Sequence, residues 1–137
     1  MPDVKRWFAK ASSDLRGAKK LIKDDDDNLD MATYATQQSA EKALKAYLLF
    51  KKQVILKTHD LNKLLRECIK HDTTFNQLRA EAELLTPYAT YSRYPDDRFN
   101  IDRQEVIEAI LHAERILKFV KTKVGPVIST GQSSLLE

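Results

Sequence analysis

The sequence predicts an all-α fold on three observations. Apolar residues recur at three- and four-residue intervals through most of the chain, the period of a helix with one buried face. Only 3 Gly and 4 Pro interrupt 137 residues, so those helices are long. Hydrophobic residues at 42% and charged residues at 31% are the balance of a globular chain, neither disordered nor embedded in a membrane. This length supports one hydrophobic core. Residues 1–124 are expected to form the bundle and 125–137 a flexible C-terminal tail.

A first helix is expected over about residues 3–23, with Val4, Trp7, Phe8, Ala11, Leu15, Ala18 and Ile22 on one face. The run Asp24-Asp25-Asp26-Asp27-Asn28 ends it, because adjacent like charges repel and Asp and Asn favour turns. That run lacks the sixth-position Gly and twelfth-position Glu of a calcium loop and reads as a solvated acidic turn. Asp30 is the expected N-cap of a second helix reaching about Lys52. Ala40, Ala43, Leu44, Tyr47, Leu48 and Phe50 cover one arc of it, and Met31, Ala35 and Leu49 the opposite side. A helix apolar on two sides is central in its bundle.

Thr58 or Asp60 caps a third helix that ends near Lys70 and turns Leu61, Leu64, Leu65 and Cys68 inward. Phe75, Leu78, Ala82 and Leu85 mark a fourth, ending near Pro87. Pro95 disfavours helix at Tyr94, so at least the second half of residues 88–99 is expected as a loop or turn. The last helix, over about residues 102–123, faces Val106, Ile110, Ala113, Leu117, Val120 and Val124 inward, and Gly125-Pro126 is expected to stop it.

Several functions are excluded on composition. No run approaches the roughly 20 apolar residues that span a bilayer, and the start lacks a secretory signal, so a cytoplasmic protein without membrane contact is expected. Cys68 is the single cysteine, which rules out an internal disulfide or a cysteine-rich zinc site. The 3 His lie in different segments; no metal or other cofactor is expected. A net charge of +3, interspersed along helices, does not by itself demand nucleic acid.

One ordered set of motifs is more specific: Trp7, then Asp14-Leu15 with Ala18, then Gln37-Gln38-Ser39-Ala40-Glu41-Lys42-Ala43-Leu44-Lys45, then Thr58-His59-Asp60-Leu61, then Ser92-Arg93-Tyr94-Pro95-Asp96. In order and approximate spacing the chain resembles the HEPN family, named for nucleotide-binding domains of higher eukaryotes and prokaryotes, over roughly residues 3–123. The resemblance implies an up-and-down bundle of four to five helices, similar to a nucleotidyltransferase substrate-binding subunit. It also implies a homodimer and a small nucleotidyltransferase partner, in some cases as toxin and antitoxin. Many members are metal-independent ribonucleases whose motif is an Arg followed four to six residues later by a His. Here Arg93 begins the matching region, but the next histidine is His112. A literal match at Arg66 to His71 lies on a continuing helix, where five residues turn about 140° past a full circle and separate the side chains.

Within the bundle, Gln38, Glu41, Lys42 and Lys45 fall at i, i+3, i+4 and i+7 and share one polar stripe. The site hypothesis is that Gln38, Glu41 and Lys45 converge with His59 and Asp60 and with Arg93 and Tyr94 on one cleft. Arg93 and Lys45 would hold an anion, Tyr94 would stack on a base, and His59 is the proton-exchanging group, so His59 and Arg93 are the catalytic candidates. The competing reading is structural: Glu41 and Lys45 pair at i,i+4, Asp60 caps helix three, and Arg93 ties down its loop. His112 lies opposite the core stripe and reads as exposed. Leu111 and Phe119 lie off the main apolar face and are candidate dimer contacts. Three functions are therefore weighed: a nucleotide- or RNA-associated accessory protein of a nucleotidyltransferase, a metal-independent ribonuclease toxin with a non-standard motif, and a non-catalytic dimerisation module.

Overall fold

The computed structural model describes residues 2–91 and 100–128. They contain six α-helices and one 3-10 segment and no strand: α1 (Pro2–Leu21), α2 (Leu29–Phe50), α3 (Leu61–His71), the 3-10 segment (Thr73–Leu78), α4 (Arg79–Leu85), α5 (Tyr88–Tyr91) and α6 (Arg103–Ile128). This is an all-α helical bundle, and no helix of the described residues is long and apolar enough to cross a membrane.

As its apolar pattern predicts, α2 is central, packing against α1, α3 and α6, although on its second apolar side Ala35 and Leu49 are only partly buried and Met31 is exposed. Thirteen of its side chains are buried, including the polar Thr33, Thr36, Gln37, Ser39, Glu41 and Lys45. Small residues let α1 and α2 approach closely enough for the Ser39 hydroxyl to donate to the Ala11 carbonyl at 2.7 Å. Across the bundle, Tyr47 of α2 meets Phe75 at 4.3 Å between ring centroids, and Phe75 meets Phe119 of α6 edge-on at 4.9 Å, geometries that suit aromatic quadrupoles. Cys68 is fully buried, facing the Leu44 carbonyl, and burial pushes its thiol well above the usual range. It is a core residue.

The structure departs from expectation at helix ends. The N-cap of α2 is Asn28, without a side-chain cap bond; Asp30 sits inside the first turn, where its carboxylate accepts from the amide of Met31. The fourth helix is divided, because the Asp72 carboxylate accepts from the Thr74 amide and the Phe75 amide bonds back to the Asp72 carbonyl, which favours a tight 3-10 turn before α4 begins. Residues 88–91 form the short α5, and the loop or turn expected in the second half of residues 88–99 lies outside the described residues. The last helix runs through Gly125 and Pro126 to Ile128. Burial explains the extension: Val124 is fully buried and Val127 packs on the core, while a proline in the last turn removes one helix bond only. The remaining tail residues, 129–137, lie outside the described residues.

The acidic turn between α1 and α2 is engaged locally. Asp25 accepts from the Asp27 amide at 2.9 Å, and Asp26 takes Arg103 at the start of α6 at 2.7 Å. At its other end α2 closes with Lys52 at φ 60°; the Lys52 and Gln53 amides return to the Leu49 and Leu48 carbonyls, the Schellman pattern with lysine where glycine is usual.

Candidate functional site

The central feature is a buried carboxylate on α2. Glu41 is 4% exposed, and both its oxygens are engaged. Lys45, one turn on, donates to Oε2 at 3.0 Å and is itself only 6% exposed. Oε1 receives Gln37 Nε2 at 3.3 Å, Gln38 Nε2 at 3.4 Å and His59 Nδ1 at 2.8 Å. A buried charge is tolerated when it is paired and its remaining lone pairs are satisfied, and both conditions hold here.

This stripe fixes the connector between α2 and α3. Gln37 Nε2 donates to the His59 carbonyl at 3.0 Å, so α2 grips both the backbone and the ring of His59. The Asp60 amide donates to Thr58 Oγ1, and the Asp60 carboxylate accepts from the amides of Asn62 and Lys63, capping α3. The Leu61 amide then donates to Thr86 Oγ1 at 3.1 Å. The result is an asymmetric histidine: one ring nitrogen is anchored on a buried carboxylate while the side chain is 58% exposed. A carboxylate only accepts, which assigns a ring proton to Nδ1 and fixes the ring's orientation.

Of the residues the sequence proposed as a site, Gln38, Glu41, Lys45 and His59 meet around one carboxylate. Asp60 adjoins them as a helix cap. Arg93 and Tyr94 lie outside the described residues. Lys45 and Glu41 are turned into the protein and onto one another, so they support His59 and do not form an open anion-binding surface.

The family model of the HEPN domain matches residues 4–123. The chain belongs to the HEPN domain family. A crystal structure of TT1696 from Thermus thermophilus is similar to this HEPN domain with a TM-score of 0.75 and 29% identity, covering 90% of this chain and 99% of that one. No curated protein matches the chain.

Sequence reasoning missed Gln37 as a member of the HEPN domain's polar cluster. Its signal was present: Gln37 lies one turn before Glu41, where side chains meet. Two surface expectations also change. Phe119 is partly buried, packed edge-on against Phe75, with Lys123 Nζ 5.2 Å from its ring centroid. Leu111 is 58% exposed. His112 is not a fully exposed residue but lines a shallow cleft with Leu84, Tyr88, Glu105, Glu108 and Ala109. There the Tyr88 hydroxyl donates to Glu105, and burial, followed by that acid, holds the phenol above its ordinary range.

Proposed function

We infer that this HEPN domain is a nucleotide- or RNA-associated module working with a small nucleotidyltransferase, and that His59 is its ligand-facing group. The supporting observation is the Glu41–His59 contact at 2.8 Å on an exposed ring. A carboxylate behind one ring nitrogen fixes tautomer and orientation, the arrangement by which proteins aim the other nitrogen at a ligand. Gln37, Gln38, Glu41, Lys45 and Asp60 are positioning residues in this reading. Arg93 and Tyr94 are its proposed phosphate and base contacts.

The test is fluorescence polarisation of labelled single-stranded oligoribonucleotides against the wild-type protein and a folded His59→Ala variant. Affinity should fall by about tenfold, the loss of one charge-assisted or well-oriented hydrogen bond in a desolvated contact. Equal affinity in the variant removes His59 from the site. Pull-down with the intact chain from its own source should recover a nucleotidyltransferase; repeated recovery of none removes the partner.

The same contact favours a second reading, a metal-independent ribonuclease toxin. In this reading Nε2 of His59 takes the proton of a 2'-hydroxyl as that oxygen attacks the neighbouring phosphorus; the bond from phosphorus to the 5'-oxygen breaks, and the leaving oxygen takes a proton from water. Incubation of RNA in chelator should then yield products ending in a cyclic phosphate, and His59→Ala should stop it. Intact RNA at high protein concentration eliminates this reading and leaves the binding module.

A further inference from the structure

Beside the His59 cluster lies a second feature. Arg6, Trp7 and Lys10 of α1 and Lys42 of α2 line an open cleft of about 330 Å³. Three of the four lining residues are cations, so its apolar surface comes from the indole of Trp7 and the aliphatic stems. Trp7 packs against the core on its inner side. Lys45, the residue that pairs with Glu41, has its ammonium 6.0 Å from the Trp7 ring centroid. One buried ion pair therefore stands between the indole and His59.

The cations differ in how they are held. Lys42 is fixed on Asp14 at 2.5 Å, both side chains less than a fifth exposed. Lys10 is 3.9 Å from the same carboxylate and 63% exposed, and Arg6 is 3.5 Å from Asp3 and 77% exposed. Ion pairs so exposed contribute little and are readily exchanged. Arg6 and Lys10 are thus two exposed, weakly paired cations beside a core-packed indole, with Lys42, paired to Asp14, at the rim.

We propose that this cleft binds one nucleobase stacked on Trp7, with its attached phosphate held by Arg6 and Lys10. A flat π-surface edged by cations suits a flat base carrying an anion: base–aromatic stacking contributes about 1–3 kcal/mol per base and is tolerant of sequence. The volume is at the low end for small-ligand sites, about 300–1,000 Å³, which accommodates one nucleotide and excludes a duplex. The proposal deepens the nucleotide or RNA reading above and rests on it: the cleft would hold one residue while His59 faces the next part of the ligand.

Trp7 is the single tryptophan of the chain, so fluorescence excited beyond the tyrosine absorption band reports on this cleft. The intact protein is titrated with AMP and, separately, with a five-nucleotide single-stranded RNA, while polarisation of the labelled RNA follows binding wherever it occurs. Saturable quenching of Trp7 is expected, weakened about tenfold in a folded Arg6→Glu, Lys10→Glu variant. Quenching by AMP identifies a free nucleotide as sufficient; quenching by the oligonucleotide alone identifies RNA. If RNA binds by polarisation while Trp7 fluorescence stays constant, or if quenching survives the charge reversals, the cleft assignment is overturned and the RNA reading stands. If neither probe binds by either method, both are overturned.

Discussion

Two buried glutamates of this HEPN domain meet opposite fates. Glu41 and Glu81 are equally hidden, at 4% and 5% exposure. Glu41 has donors on both oxygens, three of them side chains of its own helix and the fourth the ring of His59. Among the described residues Glu81 on α4 has one: Arg115 Nη1 approaches Oε2 at 3.3 Å from a 63% exposed side chain, and Oε1 has no donor. Burial alone therefore does not identify a functional carboxylate. What separates the two among the described residues is that the network around Glu41 is complete and includes a further, exposed group, His59, whereas Glu81 keeps one oxygen without a donor.

The largest effect expected from this contrast is at Glu41. Glu41→Ala leaves the Lys45 ammonium buried without its counter-charge and frees the His59 ring, and should cost about 3–5 kcal/mol. Urea denaturation measures it. The double substitution Glu41→Leu, Lys45→Met should recover most of that loss, because a buried ion pair exchanged for well-packed apolar groups is often neutral. It should nevertheless fail to restore the ligand binding proposed for His59, separating the pair's energetic role from its proposed positioning role. A double variant as unstable as the single would mean that Gln37, Gln38 and His59 need the carboxylate for folding itself.

Asp72 sharpens the comparison, since it too has several donors but sits at the surface. Its carboxylate receives the Thr74 amide and hydroxyl and pairs with Lys123 of α6 at 2.9 Å. The Thr74 side-chain bond, then Lys123, lower its pKa from 3.8 to about 2. Asp72→Ala should cost about 1–2 kcal/mol, the range for losing an N-cap. With a folded-state pKa below the unfolded value, this contribution is complete above about pH 4 and disappears as pH falls towards 2. Thermal melts of wild type and variant should therefore converge over that window. A constant gap down to pH 2 would place the effect in capping geometry and not in charge.

The fold was legible in this sequence because helical periodicity is written in the residues that make the core: Phe8, Leu15, Leu44, Leu64, Leu117 and Val120 were all expected inward and are buried. Helix ends were less legible. Asn28 rather than Asp30 begins α2, and α6 passes Gly125-Pro126, because burial of Val124 and Val127 outweighs a local stop signal that periodicity cannot weigh. Half of the site was legible in the i, i+3, i+4, i+7 stripe, which is a property of one helix. That His59 lands on Glu41 depends on how the 53–60 connector returns across α2, a long-range fact with no local signature. The Trp7 cleft escaped for the same reason: Trp7 has core spacing, and only the packing of α1 on α2 brings Lys42 to it.

The smallest effect expected is at Glu81, and it decides whether the contrast holds. A buried carboxylate with one oxygen unmatched keeps most of its desolvation cost and gains little from an exposed arginine. Glu81→Met fills similar volume without the charge and should leave stability within about 1 kcal/mol of wild type or raise it. Arg115→Ala, in contrast, removes the donor seen among the described residues and should cost more than Glu81→Met does. If Glu81→Met were as damaging as Glu41→Ala, the completeness of a buried network would not be what distinguishes the two acids, and Glu81 would need a role of its own. If it is neutral while Glu41→Ala unfolds the domain, the satisfied cluster that aims His59 is the one whose geometry the fold is built to maintain.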